Sequence, residues 1–123
     1  MIKDLKSKLK KIGTCEYEIP IGFIDGMNIS AKLFLNDELL SSIDQNAIEQ
    51  LAKISKLKGL GFSPIGLPDI HLGYGVPVGS VIGFDKDNGI ISSGMVGFDI
   101  NCGISLLKTN IKKDEISDKL DSL

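Results

Sequence analysis

The chain has 123 residues, of which 42% are hydrophobic and 24% are charged, a composition typical of one small globular domain. Its net charge of −2, from 14 basic and 16 acidic residues, lacks the basic excess of a free-standing nucleic-acid-binding protein. No window approaches the roughly 18 consecutive apolar residues that a membrane span requires. The first residues contain no apolar signal-peptide core, so we expect a cytoplasmic protein with no membrane partner.

The first half of the chain contains the patterns of both helices and strands. Apolar residues at spacings of three and four predict a short amphipathic helix over residues 2–12. Alternation predicts strands over residues 15–19 and 29–35, with Cys15 as a small buried side chain. Asn36 is a candidate cap for a short helix through Leu40.

A longer helix is predicted over residues 44–57. Ser42 and Gln45 are candidates for a capping box at its start, and the helix should end before Gly59. Its apolar residues recur at helical spacing and should form one buried face: Ala47, Ile48, Leu51, Ala52 and Ile54.

The second half is rich in glycine, with 11 of the 14 glycines between Gly59 and Gly103. A buried strand is predicted over residues 78–84, a hairpin turn over 87–89 with a return strand from Ile90, and a further strand over 104–107. A last helix should begin near Lys113. Together these patterns predict an α+β fold, in which a mixed sheet carries glycine-rich active-site loops and two or three helices.

The end of the chain carries an apolar stripe of Ile116, Leu120 and Leu123 at spacings of four and three. The pattern stops without a glycine cap or a charged tail, so we expect residues 1–123 to be the amino-terminal portion of a longer domain. The stripe would then be uncovered, which favours self-association. Alternatively, Ile116 and Leu120 fold back on the helix at 44–57 and give a compact monomer.

Two glycine-rich segments carry residues suited to chemistry. In the first, Asp69 lies two residues before His71, so both side chains leave the same face of an extended strand. A carboxylate beside an imidazole fixes its tautomer and raises its basicity. The alternative is a histidine that only satisfies turn carbonyls, and the residues of this segment do not separate the two readings.

In the second segment, Asp99 and Cys102 are three residues apart and flanked by glycines, so a curved loop could aim both at one metal ion. Two ligands are too few for a tight site, and the others would come from His71 or from sequence outside this chain. The alternative is a buried cysteine near a turn. Dinucleotide-binding and Walker motifs are absent, and the only histidine has no serine in a nucleophile-elbow setting.

The chain resembles the RtcB-type RNA ligase family in these two segments. The first signature segment (residues 68–79) reads PDIHLGYG followed by PVG, and the second (residues 91–103) reads ISSGMVGFDINCG. Their order and separation also match, and the strong match covers roughly residues 64–107. The resemblance implies a partial RtcB-like fold and the amino-terminal portion of a ligase domain.

The resemblance implies an enzyme that joins an RNA 3′-phosphate or 2′,3′-cyclic phosphate to a 5′-hydroxyl in tRNA splicing and RNA repair, using GTP and Mn²⁺. Asp99 and Cys102 would be metal ligands, Asp69 and His71 would belong to the catalytic site, and Asn101 would contact the substrate RNA. Ligand softness alone would favour zinc over manganese for the thiolate, so manganese rests on the resemblance. The histidine that carries GMP and the GTP-binding residues would lie beyond Leu123, so the chain alone is predicted to be inactive.

Two positions depart from the family pattern. Ser105 stands where arginine is frequent, and Met95 stands where glycine is common. The first departure could weaken contacts to phosphate or RNA. Two alternatives therefore stay open, a non-catalytic metal-binding or interaction module derived from the family and a small zinc-binding protein unrelated to RNA.

Overall fold

The fold is a single mixed sheet with two helices. The computed structural model describes residues 5–97, 100, 102–117 and 119. In chain order the strands and helices are β1 (Lys10–Gly13), β2 (Glu16–Ile19), β3 (Ala31–Phe34), α1 (Asp37–Ser42), α2 (Gln45–Ile54), β4 (Ile65–His71) and β5 (Val78–Val81). Three short 3-10 helices cover Leu5–Lys8, Ser93–Met95 and Lys113–Glu115.

The five strands follow the chain in the order β1-β2-β3-β4-β5. Neighbouring strands are antiparallel except β3 and β4, which run parallel. A parallel pair needs a crossover connection, and α1 and α2 lie within the one that joins β3 to β4. This arrangement confirms the predicted α+β class with a mixed sheet.

Residues 5–12 depart from the helix predicted over residues 2–12, and residues 2–4 lie outside the described residues. After the 3-10 helix, β1 pairs with β2 as a hairpin in which Lys10 lies opposite Glu18 and Lys11 opposite Tyr17. In the hairpin, the backbone groups of β1 pair with those of β2. Leu9, just before β1, packs against the core. Cys15 lies in the connecting turn and is exposed, so its predicted burial is wrong.

The helix caps agree with the sequence at one helix and correct it at the other. Asn36 caps α1 as predicted, because its side chain accepts a hydrogen bond of 2.9 Å from the Leu39 N–H. The capping box proposed for Ser42 and Gln45 does not form, because Ser42 is the last residue of α1. Asp44 caps α2 instead and accepts from the Asn46 N–H at 2.9 Å.

The core lies between α2 and the sheet. The predicted face of α2 is buried as expected, and α2 is the element with the most buried residues. Ile70 is the member of the core cluster that comes from β4. The buried side chains of the cluster are Tyr17, Ile19, Phe23, Met27, Ala31, Leu33, Leu35, Ala47, Ile48, Leu51, Ala52 and Ile70.

The region after β5 differs most from the prediction. The turn at 87–89 is present, with the Gly89 N–H bonded to the Asp85 carbonyl oxygen at 2.8 Å. Its return strand does not form, and residues 83–85 instead hydrogen-bond to residues 59–61. The Gly61 N–H donates to Gly83 at 2.9 Å and the Asp85 N–H donates to Gly59 at 2.8 Å.

The remaining predictions for this half need correction as well. Strand β5 is shorter than the predicted 78–84 and only half-buried. Residues 104–107 are exposed and irregular. In the described part of the predicted last helix, the helical segment is a 3-10 turn followed by a half-buried Ile116. Leu120 and Leu123 lie outside the described residues. Within the described part of the chain, no helix has the length and apolarity to cross a membrane.

Candidate functional site

Strand β4 carries the first pair of candidate catalytic residues. Asp69 and His71 are exposed, while Ile70 between them is buried against the core. This alternation follows from the two-residue period of an extended strand. Burial of Ile70 therefore anchors the strand and presents the two polar side chains to solvent.

The imidazole of His71 is held by a backbone group. Its Nδ1 lies 2.8 Å from the backbone carbonyl oxygen of Asp69, so the orienting group is a carbonyl, as in the second of the two sequence readings, and not the Asp69 carboxylate of the first. A carbonyl oxygen can only accept a hydrogen bond, so Nδ1 carries the proton. In the neutral imidazole, Nε2 then presents its lone pair, as a proton acceptor or a metal ligand does.

Asp69 lies on an irregular part of β4 that faces a single glycine. Gly66 pairs with Ser80 and His71 pairs with Val78, so residues 67–70 lie opposite Gly79 alone. Gly79 has φ +72°. Bulges of this kind re-aim side chains relative to a regular ladder. The bulge therefore sets the position of Asp69 beside β5.

A contact from α2 holds the loop that follows His71. The Gln50 side chain donates from Nε2 to the Gly73 carbonyl oxygen at 2.8 Å and accepts from the Gly73 N–H at 3.1 Å. The sequence interpretation missed Gln50, and its signal was slight: a polar residue beside the apolar face of a helix. Gln50 is half-buried, which fits its use inside the fold.

The described residues of the two signature segments, together with residues between them, line one open cavity of about 520 Å³. Its walls include Tyr74 and Gly79 from the first segment and Ser92, Met95 and Gly97 from the second. None of the described side chains that line it is charged. Its polar groups are hydroxyls and backbone amides, so these residues alone provide no cation for a phosphate.

The metal-ligand candidates are described only in part. Cys102 is exposed and unbonded to another cysteine, so the alternative of a buried cysteine is wrong. Asp99 and Asn101 lie outside the described residues. Over residues 5–97, 100, 102–117 and 119, no three histidine, cysteine, aspartate or glutamate side chains form a metal-binding group. Cys102 alone does not make a site of the zinc type, which takes at least three protein ligands.

Comparison with known proteins finds similarity to tRNA-splicing ligases named RtcB, in agreement with the resemblance of the two signature segments. Residues 50–123 match the family model described as tRNA-splicing ligase RtcB. The tRNA-splicing ligase RtcB of Archaeoglobus fulgidus is 35% identical over 120 residues, which is 98% of this chain and 25% of that protein. The corresponding protein of Methanococcus maripaludis is 38% identical over 119 residues, 97% of this chain and 25% of the relative.

A third relative, the tRNA-splicing ligase RtcB of Thermococcus kodakarensis, is 40% identical over 116 residues, 94% of this chain and 24% of the relative. The chain therefore spans about a quarter of the length of these three relatives.

Proposed function

This chain belongs to the RtcB family of tRNA-splicing ligases, and on that premise we propose that it forms part of an RNA ligase that acts in tRNA splicing. The ligase would join an RNA 3′-phosphate or 2′,3′-cyclic phosphate to a 5′-hydroxyl, also in RNA repair, with GTP and Mn²⁺ as cofactors. The observation that carries the proposal is the presence of both signature segments in order, with described residues of each lining one open cavity.

The chain would contribute one side of the active site. We propose that Asp69 and His71 act beside the reacting RNA end, with the His71 Nε2 as the hydrogen-bond acceptor or base. Asn101 would contact the RNA. The rest of the longer ligase chain and the tRNA halves would be the partners, in the cytoplasm.

Asp99 and Cys102 would supply two ligands of the manganese site. The exposed thiol of Cys102 suits that role, and the other ligands would come from the rest of the ligase. A bound divalent ion stabilises negative charge on phosphate oxygens. His71 is the only histidine here and belongs to the first signature segment. The histidine that carries GMP would therefore lie elsewhere, and residues 1–123 alone should form no covalent GMP adduct.

The second candidate function is a non-catalytic metal-binding or interaction module derived from this family. Met95, within the second signature segment, and Ser105, two residues after it, favour this candidate, because both replace residues that are frequent in the family. A module of this kind would bind metal through Cys102 without sealing RNA. RNA sealing therefore separates the two candidates.

The test is sealing of RNA with a 3′-phosphate and a 5′-hydroxyl by a polypeptide of the relatives' length that carries this sequence. Cys102→Ala should lower sealing roughly 100-fold or more, the scale of losing a metal-site group. Cys15→Ala is the matched control, because Cys15 is an exposed cysteine in the turn between β1 and β2. Sealing by the Cys102 variant at the control's rate would contradict the ligand role, and no sealing by the parent would favour the module.

A further inference from the structure

The loop that follows His71 is closed tightly at both ends. On one side, His71 pairs with Val78 of β5. On the other, a Cβ added to Gly73 would stand 2.1 Å from the Val76 carbonyl oxygen and 3.2 Å from the Val78 N–H nitrogen. Glycine is therefore required at position 73, and its backbone lies against the returning chain.

Gly73 follows the end of β4, and the side chain of Gln50 satisfies its backbone N–H and carbonyl groups. The carboxamide donates to the Gly73 carbonyl and accepts from the Gly73 N–H, as a neighbouring strand would. Both bonds are partly buried, and an unmet buried peptide group costs about 1–3 kcal/mol. At neutral pH, only asparagine and glutamine carry a donor and an acceptor side by side on one planar group.

We infer that Gln50 is a positioning residue for the ligase site, holding Gly73 and through it the backbone that carries His71. With His71 paired to Val78 and Gly73 bonded to Gln50, the two-residue step between them is fixed at both ends. The His71 ring then keeps its bond to the Asp69 carbonyl, and Tyr74 keeps its place in the wall of the cavity. This inference rests on the proposed function of that site.

The chain contains a matched control on the same helix. Gln45 also uses its side chain on a distant backbone group, since its Oε1 accepts from the Leu5 N–H at 3.2 Å. Leu5 packs against the core far along the chain from His71. Substitution of Gln45 therefore removes a comparable tertiary hydrogen bond and leaves the contacts of the loop that follows His71 unchanged.

The experiment is NMR of residues 1–123, in which the single histidine gives unambiguous imidazole signals. In Gln50→Leu, amide exchange at Gly73 should speed up at least tenfold, and the ring ¹⁵N shifts of His71 should show loss of the pure Nδ1–H tautomer. Gln50→Glu keeps the acceptor and loses the donor, so it should retain part of the Gly73 protection and still disturb the ring. Gln45→Leu should leave both signals as in the parent.

Unchanged Gly73 exchange and His71 shifts in Gln50→Leu would overturn the inference. Equal changes in Gln45→Leu would also overturn it, because they would show general loosening of the fold. If Gln50→Leu proves too unstable to fold, Gln50→Glu decides by the same two signals. These signals are independent of ligation, so a parent that seals no RNA contradicts the proposed function and not the role of Gln50.

Discussion

Gly79 lies directly against the backbone of Asp69. A Cβ added to Gly79 would stand 2.8 Å from the carbonyl carbon and 2.8 Å from the carboxylate Oδ1 of Asp69. The bulge of β4 can approach β5 this closely only because position 79 has no side chain. The close approach of Asp69 therefore explains the glycine at position 79, the last residue of the first signature segment.

Gly79→Ala should lower the free energy of unfolding by about 2–5 kcal/mol. The positive φ costs about 1–2 kcal/mol with a Cβ, and forced displacement of packed atoms costs about 1–3 kcal/mol more. Gly75→Ala is the control, because Gly75 has φ +81° and nothing within 4 Å of the added Cβ. Urea unfolding measures both. Equal losses in the two variants would show that the contact with Asp69 adds nothing.

The start of α2 offers a test of its cap. Asp44→Ala should lower the stability by about 1 kcal/mol, because the Asn46 N–H loses its acceptor. Ser42→Ala should have a smaller effect, since the Ser42 hydroxyl bonds only to the Leu39 carbonyl within α1. Thermal or urea unfolding of both variants compares the two. A larger loss for Ser42→Ala would restore the capping box that the sequence suggested.

A cluster of Lys11, Tyr17 and Asp37 ties the amino-terminal hairpin to α1. The Lys11 ammonium bonds both carboxylate oxygens of Asp37 at 2.6 and 2.7 Å, and the Tyr17 hydroxyl also donates to Asp37. The Lys11 bond, then the Tyr17 bond, lowers the pKa of Asp37. The stabilisation from this carboxylate is therefore present above its unfolded pKa and is lost as the pH falls through its lower folded pKa.

The pH dependence of Asp37→Asn checks this sign. The parent should be more stable than the variant at neutral pH, and the difference should shrink in acid, below about pH 4. A stability difference that stays constant from neutral pH to pH 2 would contradict the cluster.

At the alkaline end, the bond to Asp37 raises the pKa of Tyr17. The stabilisation from the Tyr17 hydroxyl is therefore present below its unfolded pKa and is lost as the pH rises through its folded pKa.

Residues 90–111 should make the chain associate with itself. Ile91, Ile104, Leu106 and Leu107 are largely exposed, and exposed contiguous apolar surface favours contact between molecules. Light scattering at micromolar concentration should show species larger than a monomer. Replacing Leu106 and Leu107 with serine should reduce them without loss of stability, since neither side chain belongs to the core. A cooperative monomer in the parent would refute the prediction.

The local sequence pattern predicts a helix or strand correctly where that element buries one of its faces in the core. Spacing predicts the buried stripe of α2 and strands β2 and β3, because the periodicity of their apolar residues reflects packing on one face. Residue type predicts the Asn36 cap, because its side chain bonds within the first turn of α1. The hairpin of β1 was missed because apolar residues three and four apart fit a helix as well as a turn followed by a strand. Only pairing with β2 decides between them.

For the candidate site, the sequence predicts which residues take part, but not the contacts that hold them. Spacing placed Asp69 and His71 on one exposed strand side, yet it could not show that a backbone carbonyl holds the imidazole. Gln50 and Gly73 are 23 residues apart, and such a contact leaves no periodic trace. Residues 83–85 likewise hydrogen-bond to residues 59–61, which are distant in the sequence, and no local pattern indicates this pairing.

The placement of the core has a consequence for synthesis. Eleven of the 12 residues in the core cluster lie between Tyr17 and Ala52, and only Ile70 comes from the first signature segment. Chains emerge from the ribosome amino-terminus first, at about 5–20 residues per second. The hairpin, β3 and α2 can therefore collapse into a scaffold before Asp69 and His71 leave the exit tunnel, and β4 then docks on a surface that is already formed.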